Sequence, residues 1–455
     1  MAQAGVEAVY ELLDRTEKGT VKQSITNVRF ALNHDPILSG AIRFNEMTER
    51  IDIVKDLPWH RDGTVLDDMD EAFLMQYLEE NYDLMQEKNI TKAITVVAGD
   101  NRYHPVRDKL NSLIWDGTPR VCHALRHFFG SEENELNYQC LKYFMTGVIR
   151  RVFHPGCKFD EMFCLVGEQG AGKSTFFRFL AMNDEWFTDD LKNLSDENVY
   201  RKMQGHLLIE LSEMSATVNA RNVEEIRSFL SRQKDTYKIP YDKHPKDRKR
   251  QCAFVGTSNN LNFLPFDRTG NRRFLAVETN MEQAEVHILA NEEESRTYIE
   301  QMWAEVMVDY IAGNYYTKLP KKYEKELKAM QKDFMPEDSK VGMIQVYLDK
   351  CKDEYVCAMQ ILEDVFGERA MGAKSWQSRE ISEVMNTEII GWKKGPQHRF
   401  DRFGPQRSWV RNDWKPKATD DEPKQLTIDE IPTDEWCDAT KVEGNPFLEP
   451  EEKAS

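Results

Sequence analysis

Residues 167–174 are Gly-Glu-Gln-Gly-Ala-Gly-Lys-Ser, which has the form GxxxxGK[ST] of a phosphate-binding P-loop. An apolar run, Met162–Val166, precedes this stretch, and a segment of helical character, Thr175–Leu180, follows it. The order of strand, loop and helix is the context that the motif requires. The alternative, a glycine-rich turn that binds no nucleotide, does not account for these flanks.

The chemistry of the motif explains its residue types. Glycines let backbone N–H groups close around phosphate oxygens, and the following helix points its positive end at the anion. Lys173 is expected to reach the β- and γ-phosphates, and Ser174 to offer its hydroxyl to Mg²⁺. The sequence therefore predicts ATP and Mg²⁺ as cofactors. The predicted nucleotide-binding residues are Gly167, Glu168, Gln169, Gly170, Ala171, Gly172, Lys173, Ser174 and Thr175.

The length and composition of the chain limit the classes of protein to which it can belong. A chain of 455 residues is too long for one core, so two to three domains are expected. No apolar run approaches the ~20 residues of a membrane span, and the first residues lack the pattern of a signal peptide. The eight cysteines include no CxxC pair, which argues against zinc and favours reduced thiols. A cytoplasmic protein without a membrane partner is the expectation.

The charge is unevenly distributed. The net charge is −17, but residues 420–455 alone contain twelve acidic and three basic residues. The remainder of the chain carries local basic clusters. A global acidic balance therefore does not exclude contact with DNA through one basic surface.

A second motif follows the P-loop by about forty residues, where three apolar residues, Leu207–Ile209, lead into Glu210, Leu211, Ser212 and Glu213. A buried parallel strand that delivers a carboxylate to a metal site has this pattern. Glu210 is predicted as the Mg²⁺-side ligand and Glu213 as the base that polarises the attacking water, although the two roles could be exchanged. The competing interpretation is a plain core strand that ends in solvated acids.

A basic segment connects two strand-like stretches further along. We predict a β-hairpin with strands at 236–242 and 249–256 and a basic tip between them. Basic side chains at such a tip can follow the phosphates of a nucleic acid strand. The alternative is a solvated loop. The predicted DNA contacts are Lys243, His244, Lys246 and Arg248.

Two polar groups complete the set of catalytic candidates. Asn259 follows the second of these strands, where its amide could sense the γ-phosphate or hold the attacking water. Arg272 and Arg273 follow a glycine turn, as an arginine finger that completes a neighbouring subunit's site would. A surface ion pair is the simpler alternative for the arginines. The predicted catalytic residues are Lys173, Ser174, Glu210, Glu213, Asn259, Arg272 and Arg273.

Together these motifs resemble the superfamily 3 branch of AAA+ helicases, and more closely the virulence-associated E (VapE) family of phages, prophages and pathogenicity islands. The resemblance covers about residues 100–280. It implies a ring-forming ATPase in a bacterial host cell that moves along or opens DNA, with the hairpin facing the channel. One departure is Glu210, where many P-loop enzymes have Asp. The matching segments are His104–Arg107, Trp115–Gly117, Pro119–Arg120, Gly167–Ser174, Ile209–Glu213, Ile239–Tyr241, Gly256–Asn259 and Thr269–Phe274.

The expected fold is α/β, with a P-loop AAA+ core in which a parallel sheet lies between helices. An α+β region of unknown role at 1–125 precedes the ATPase at 126–318. A helical, winged-helix-like DNA-binding domain is predicted at 319–417, because residues 391–417 hold eight Lys or Arg and two Asp with interleaved aromatic residues. Residues 418–455 are predicted to be an acidic, disordered tail.

The predicted function is an ATP-dependent DNA helicase or translocase that acts in the replication of a phage or other mobile element and hydrolyses ATP at the subunit interfaces of a ring. Its partners would be DNA, further copies of itself in a hexameric ring, and replication proteins. One alternative is an initiator that binds and melts an origin, which origin footprinting would distinguish. Another is a P-loop ATPase switch without DNA work, whose ATPase rate would not respond to DNA.

Overall fold

The structure, a computed structural model, describes residues 2–191, 199–212, 226–237, 246–264, 271–336, 339–367 and 375–415. The chain divides into two units, Met1–Glu337 and Asp338–Ser455. The predicted tail at 418–455 lies outside the described residues. Among the described helices, none has both the length and the apolar character needed to cross a membrane.

The N-terminal region has a hydrophobic core of its own, which is built from residues between Val6 and Ala98. Four helices pack against a three-stranded sheet of order β2-β1-β3. The elements are α1 (Ala2–Glu11), α2 (Ile25–His34), β1 (Ile42–Asn45), β2 (Arg50–Ile53), α3 (Asp68–Tyr82), α4 (Glu87–Asp100) and β3 (Arg102–Tyr103).

Three helices connect this region to the ATPase core. They are α5 (Pro105–Ser112), α6 (Ala124–Phe129) and α7 (Glu135–Phe153). Their apolar residues belong to the large central core and not to the N-terminal one. The predicted boundary at 125 is therefore too late, because the N-terminal core ends near residue 100. His104, for which no catalytic role is predicted, is buried and caps α5 by accepting a hydrogen bond from the N–H of Arg107.

A five-stranded parallel sheet forms the centre of the first unit, as predicted. Its strands lie in the order β10-β4-β9-β6-β5, and each neighbouring pair is parallel. The strands are β4 (Met162–Val166), β5 (Phe187–Thr188), β6 (Leu208–Leu211), β9 (Ala253–Ser258) and β10 (Phe274–Glu278).

Helices cover both faces of this sheet, which explains why its inner strand β4 is apolar at every position. In β4, Phe163 and Leu165 face one core, while Met162, Cys164 and Val166 face the other. A strand buried on both sides has this continuous apolar pattern. Further helices of the unit include α8 (Lys173–Leu180), α9 (Val199–Met203), α10 (Glu292–Ala312) and α11 (Glu324–Asp333).

The described strands of the basic hairpin lie earlier in the chain than predicted, and they do not include the sheet strand. Its strands are β7 (Lys234–Tyr237) and β8 (Lys246–Lys249), and they pair with each other in an antiparallel manner. The predicted strand 249–256 is in fact two elements, because the chain leaves the hairpin at Arg250 and enters β9 at Ala253. The tip itself lies outside the described residues.

The first unit extends beyond the predicted boundary at 318. The Gln331 side chain of α11 donates hydrogen bonds to the carbonyl oxygens of Asn271 and Phe274, at 2.8 and 2.9 Å. Leu327 on the same helix lies in the central core. The helix is therefore part of the first unit, which ends at Glu337.

The second unit has the winged-helix arrangement that the sequence predicted. Its order is helix, strand, two helices and two strands, and its sheet has the order β11-β13-β12. Trp392 and Trp409 from the sheet pack with Ile381, Val384 and Met385 in a separate core. The elements are α12 (Ser339–Lys350), β11 (Tyr355–Val356), α13 (Ala358–Phe366), α14 (Ser375–Thr387), β12 (Trp392–Phe400) and β13 (Gly404–Arg411).

Candidate nucleotide-binding site

The P-loop connects the carboxyl end of β4 to the first residue of α8. All three of its glycines have a positive φ, with +151° at Gly167, +84° at Gly170 and +76° at Gly172. A Cβ at Gly167 would lie 2.1 Å from Oγ1 of Thr279, and one at Gly172 would lie 2.4 Å from Cγ2 of Ile288. Only glycine fits these two positions. No side chain caps the amino end of α8, so its first N–H groups remain for an anion.

Lys173 is the first residue of α8, and its ammonium group lies inside the loop. Nζ donates hydrogen bonds to the carbonyl oxygens of Gly167 and Glu168 at 2.8 and 2.6 Å, and to Oδ1 of Asn259 at 3.0 Å. The side chain is 6% exposed, and burial lowers the pKa of the ammonium group. The loop thus fixes one cation where phosphate oxygens would enter.

Beside Lys173, a carboxylate and two hydroxyls form a polar cluster. Oε1 of Glu210 accepts a hydrogen bond from the Ser174 hydroxyl at 2.8 Å and another from the Thr257 hydroxyl at 2.5 Å. Glu210 is 0% exposed, and burial raises the pKa of its carboxyl group against the opposing effect of these hydrogen bonds. The structure therefore brings Ser174 and Glu210 together, as the predicted metal site requires.

The parallel sheet is the reason that these residues meet. Glu210 lies on β6, Thr257 and Asn259 lie at the end of β9, and the P-loop follows β4. Strands of one direction present their carboxyl ends at the same edge, where ligands bind in open α/β sheets. Three segments that are far apart in sequence therefore converge on one site.

The residues present fit a magnesium ion bound with phosphate. The second oxygen of Glu210, Oε2, is buried and has no hydrogen-bond partner among the described residues. Mg²⁺ is commonly held by one or two carboxylates together with substrate phosphates, rather than by a full protein cage. The described residues accordingly contain no cluster of three or more His, Cys, Asp or Glu side chains placed to hold a metal.

Two further residues at the site were not among the predicted site residues. Thr257 donates a hydrogen bond to Glu210, and its position among the polar residues that end β9 could have indicated it. His287 lies near the carbonyl oxygen of Gly170, at 3.1 Å from its Nε2. No local pattern marks His287, because its contact depends on the path of the chain from β10 to α10. Glu213 lies outside the described residues, so its role as a base stays a prediction.

The two candidate finger arginines lie at the opposite edge of the sheet from the P-loop. They immediately precede β10, whose first residue, Phe274, is aligned with Met162 at the start of β4. The five-residue strand spans roughly 16 Å. Neither arginine can therefore serve the P-loop of its own chain.

The two arginines differ in their partners. Arg273 forms an ion pair with Asp160, with 3.0 Å between Nε and Oδ2. Arg272 is exposed, and it makes no hydrogen bond or ion pair with any described residue. Arg272 is therefore the one of the two whose guanidinium is available to a second molecule.

Comparison with known proteins identifies the domain that carries this site. The virulence-associated protein E-like domain matches residues 110–336. The chain belongs to the virulence-associated protein E family. The matched residues run from the end of α5 to the end of the first unit, so they include the P-loop, the Glu210 cluster and the two arginines. No curated protein matches the chain.

Two solved structures resemble the chain more distantly. One is entitled "The A form apo structure of NrS-1 C terminal region-CTR", with 13% identity, a TM-score of 0.46, and coverage of 81% of this chain and 96% of that one. The other is "The A form apo structure of NrS-1 C terminal region-CTR(305-718)", with 14% identity, a TM-score of 0.47, and coverage of 86% and 100%. At these TM-scores the likeness carries no argument about the present chain.

Of the four DNA contacts predicted in this virulence-associated E protein, only Arg248 has a described side chain. Arg248 lies on β8, not at the tip, and it is 8% exposed. Its Nε forms an ion pair with Oε2 of Glu49 at 2.8 Å. The expected position of Arg248 at an exposed basic tip is therefore wrong. Lys243 and His244 lie outside the described residues, and Lys246 is the first residue of β8.

The buried carboxylate generates a prediction about Glu210→Gln. Because the folded-state pKa of Glu210 is raised, ionisation of this group disfavours the fold at neutral pH, and the amide removes that cost. Without metal or nucleotide, the variant should melt at a higher temperature than wild type near pH 8. The difference should shrink as the pH falls and the wild-type carboxyl becomes protonated.

If Glu210 holds Mg²⁺ as the sequence predicts, the same substitution should reduce ATP hydrolysis by about 100-fold, because the predicted metal ligand is lost. Thermal melts across a pH series and a phosphate-release assay with Mg²⁺ make the two measurements. Ser212→Ala is a matched control, since it changes a neighbouring exposed residue. Full ATPase activity in Glu210→Gln would contradict the assignment.

Proposed function

We propose that this protein is an ATP-dependent DNA helicase or translocase that acts in the replication of a phage or another mobile element. In this proposal it hydrolyses ATP with Mg²⁺ at the subunit interfaces of a ring. The observation that carries the proposal is the convergence of Lys173, Ser174, Glu210 and Asn259 at one sheet edge. The resemblance to superfamily 3 helicases supplies the class of motor.

The geometry supports separate roles for these residues in phosphoryl transfer. The P-loop amides and Lys173 would bind and orient the phosphates, and Ser174 with Glu210 would hold Mg²⁺. Bound Mg²⁺ would neutralise charge that develops on the phosphate oxygens. Asn259, which already touches Nζ of Lys173 at 3.0 Å, lies where an amide would detect the terminal phosphate. Glu213 remains the proposed base.

The position of Arg272 supports a site shared between subunits. Its own P-loop lies across the sheet, whereas a head-to-tail neighbour in a ring can present a different edge to it. A guanidinium supplied in this way stabilises the charge of the transition state. A closed ring of such interfaces is the simplest assembly in which every site is completed.

A single strand links the site to the proposed DNA-contacting hairpin. Three residues separate the end of β8 from the start of β9, and β9 ends immediately before Asn259. A change at the nucleotide can therefore reach the hairpin base through a rigid, fully buried element. Lys243 and His244, which lie outside the described residues, and Lys246 at the start of β8 remain proposed DNA ligands.

A second candidate function, a replication initiator that reads an origin, is favoured by the C-terminal unit. One face of α14 presents Ser378, Ser382 and Asn386 at four-residue spacing, and a groove between this helix and β13 also contains Arg379 and Arg407. The two arginines are exposed and make no ion pair with any described residue. Hydroxyl, amide and guanidinium groups on one helix face are suited to base edges and phosphates of duplex DNA.

The first test is strand displacement on a forked duplex with ATP, comparing the intact protein with Lys173→Ala. We expect the wild type to unwind the duplex and Lys173→Ala to fail, because the variant lacks the ammonium group that is proposed to bind the phosphates. An ATPase assay with and without DNA accompanies it. An ATPase that neither unwinds DNA nor responds to it would contradict the helicase and favour a switch.

The shared site predicts complementation between two inactive variants. Arg272→Ala alone should lose about 10³-fold or more of the ATPase rate, as removal of an arginine finger does. When it is mixed with Lys173→Ala, roughly a quarter of the interfaces in a random ring would pair an intact P-loop with an intact arginine. The ATPase rate of the mixture should recover in proportion to the fraction of these complete interfaces.

The control is a mixture of Arg273→Ala with Lys173→Ala. The Arg273 guanidinium is already paired with Asp160 in its own chain, so it is not the arginine proposed to complete a neighbouring site. The variants are assayed singly and after joint refolding or subunit exchange. Arg272→Ala with wild-type activity, or a mixture that stays inactive while rings form, would exclude the shared site.

The C-terminal groove predicts a separate effect on duplex binding. Arg379→Ala with Arg407→Ala should weaken binding to duplex DNA by about tenfold and reduce the salt dependence of the affinity by roughly two phosphate contacts. Fluorescence anisotropy at several salt concentrations makes the measurement, and the ATPase rate without DNA should not change. Lys352→Ala removes an exposed charge outside the groove, and an equal effect there would contradict a specific surface.

A further inference from the structure

The turn between β1 and β2, residues 46–49, is a preformed feature of the N-terminal region; we call it the anchor turn. Oδ1 of Asn45 accepts hydrogen bonds from the N–H groups of Met47 and Thr48, at 2.9 and 3.3 Å. The amide of Asn45 is itself buried and bonds Asp52 at 2.8 Å. Glu49 has φ of +53°, which closes the turn. Its shape is therefore set within the N-terminal region.

The anchor turn packs into the ATPase rather than facing solvent. The Met47 side chain belongs to the central hydrophobic core and not to the N-terminal one. The Glu46 carboxylate forms an ion pair with Arg107 at 2.8 Å, and Arg107 also donates to the carbonyl oxygen of Val152. The turn is thus fixed to α5 and α7, and α7 packs against β4 and β9.

Three contacts connect the anchor turn to the segments that lead into the strands β6 and β9. Glu49 pairs with Arg248 on β8, and the Gln251 amide, just beyond the hairpin, donates to the carbonyl oxygen of Glu46 at 2.9 Å. Gln204, which precedes β6, donates to the carbonyl oxygen of Thr48. One turn therefore contacts the amino-terminal approaches of both β6 and β9.

These two strands are the ones that carry Glu210 and Asn259 to the site. A displacement of the hairpin base relative to β6 has to move the anchor turn or break the Glu49–Arg248 pair. Breaking the pair is unfavourable, because Arg248 is buried and a buried charge depends on its ion-pair partners. The N-terminal region thus holds the hairpin in a defined position relative to the nucleotide site.

We propose that the anchor turn positions the DNA-contacting hairpin, and that Glu49 is the positioning residue that does so through Arg248. On this proposal residues 2–103 are a working part of the motor, not an appended module. The anchoring itself needs only the contacts above. Its consequence for DNA-dependent activity rests on the proposed helicase function.

The experiment uses the full chain with Glu49→Gln, which removes the charge but keeps the shape. Hydrogen exchange measures the opening of β7 and β8 without DNA or nucleotide, and exchange there should accelerate by about tenfold or more. Exchange in β4 should not change. Basal ATPase should stay within about twofold of wild type, while its stimulation by single-stranded DNA should fall several-fold, because the hairpin is no longer held.

Two further variants separate positioning from a general loss of stability. Asp100→Asn disrupts an ion pair with Arg29 in the same region, but both side chains are 50% exposed, so it should behave as wild type. The exchanged pair, Glu49→Arg with Arg248→Glu, should restore slow exchange in the hairpin strands if the contact itself matters. This arm remains informative if Glu49→Gln is broadly destabilised.

Unchanged exchange of the hairpin strands in Glu49→Gln would overturn the proposal, and so would failure of the exchanged pair to restore protection. Faster exchange in Glu49→Gln with unaltered DNA stimulation would overturn the positioning role of Glu49 in the motor. A wild-type ATPase that does not respond to DNA would count against the proposed helicase function. In that case the exchange results still decide whether the turn anchors the hairpin.

Discussion

The fully buried carboxylate of Glu210 is the group on which the rest of the site depends. A charge removed from water is unfavourable unless it is hydrogen-bonded or paired. Here the Ser174 and Thr257 hydroxyls satisfy one oxygen, which ties the first turn of α8 to β9 across β6. The second oxygen has no described partner. The fold therefore holds a costly group in place and leaves part of its bonding capacity unused, which is the condition a metal ligand requires.

This cluster could form only in a sheet whose strands run parallel. The side chains come from three separate segments, and each reaches the site because its strand ends at the same edge. The opposite edge then collects the elements that precede the strands: the hairpin base before β9, Gln204 before β6, and Arg272 before β10. The proposed chemistry at one edge and the proposed contacts with other molecules at the other would thus be consequences of one topology. The strands between them would transmit displacement, because close-packed interiors are not easily compressed.

The sequence predicts the parts of the site that depend on short-range pattern. The P-loop, its flanking strand and helix, and Glu210 at the end of an apolar run are all local signals, and the structure brings Lys173, Ser174, Glu210 and Asn259 together. The burial of Arg248 is not a local signal, because its partner Glu49 lies 199 residues away. The hairpin ends were misplaced for a related reason. Residues 249–256 contain no proline, and no glycine before Gly256, that would mark a break, but Arg250 is held by a bidentate ion pair with Asp235, and the chain changes sheets there.

A count of basic residues is accordingly a poor guide to where nucleic acid binds in this protein. Arg248 and Arg250 belong to the same basic cluster as the hairpin tip, yet both are buried and neutralised by acids of their own chain. Their role is to fix the hairpin. Arg272, Arg379 and Arg407 are equally basic, but no described acid pairs with them and they are exposed. Release of counterions from DNA requires cations that are not already compensated. The available charge, rather than the net charge of −17, decides where a polyanion can bind.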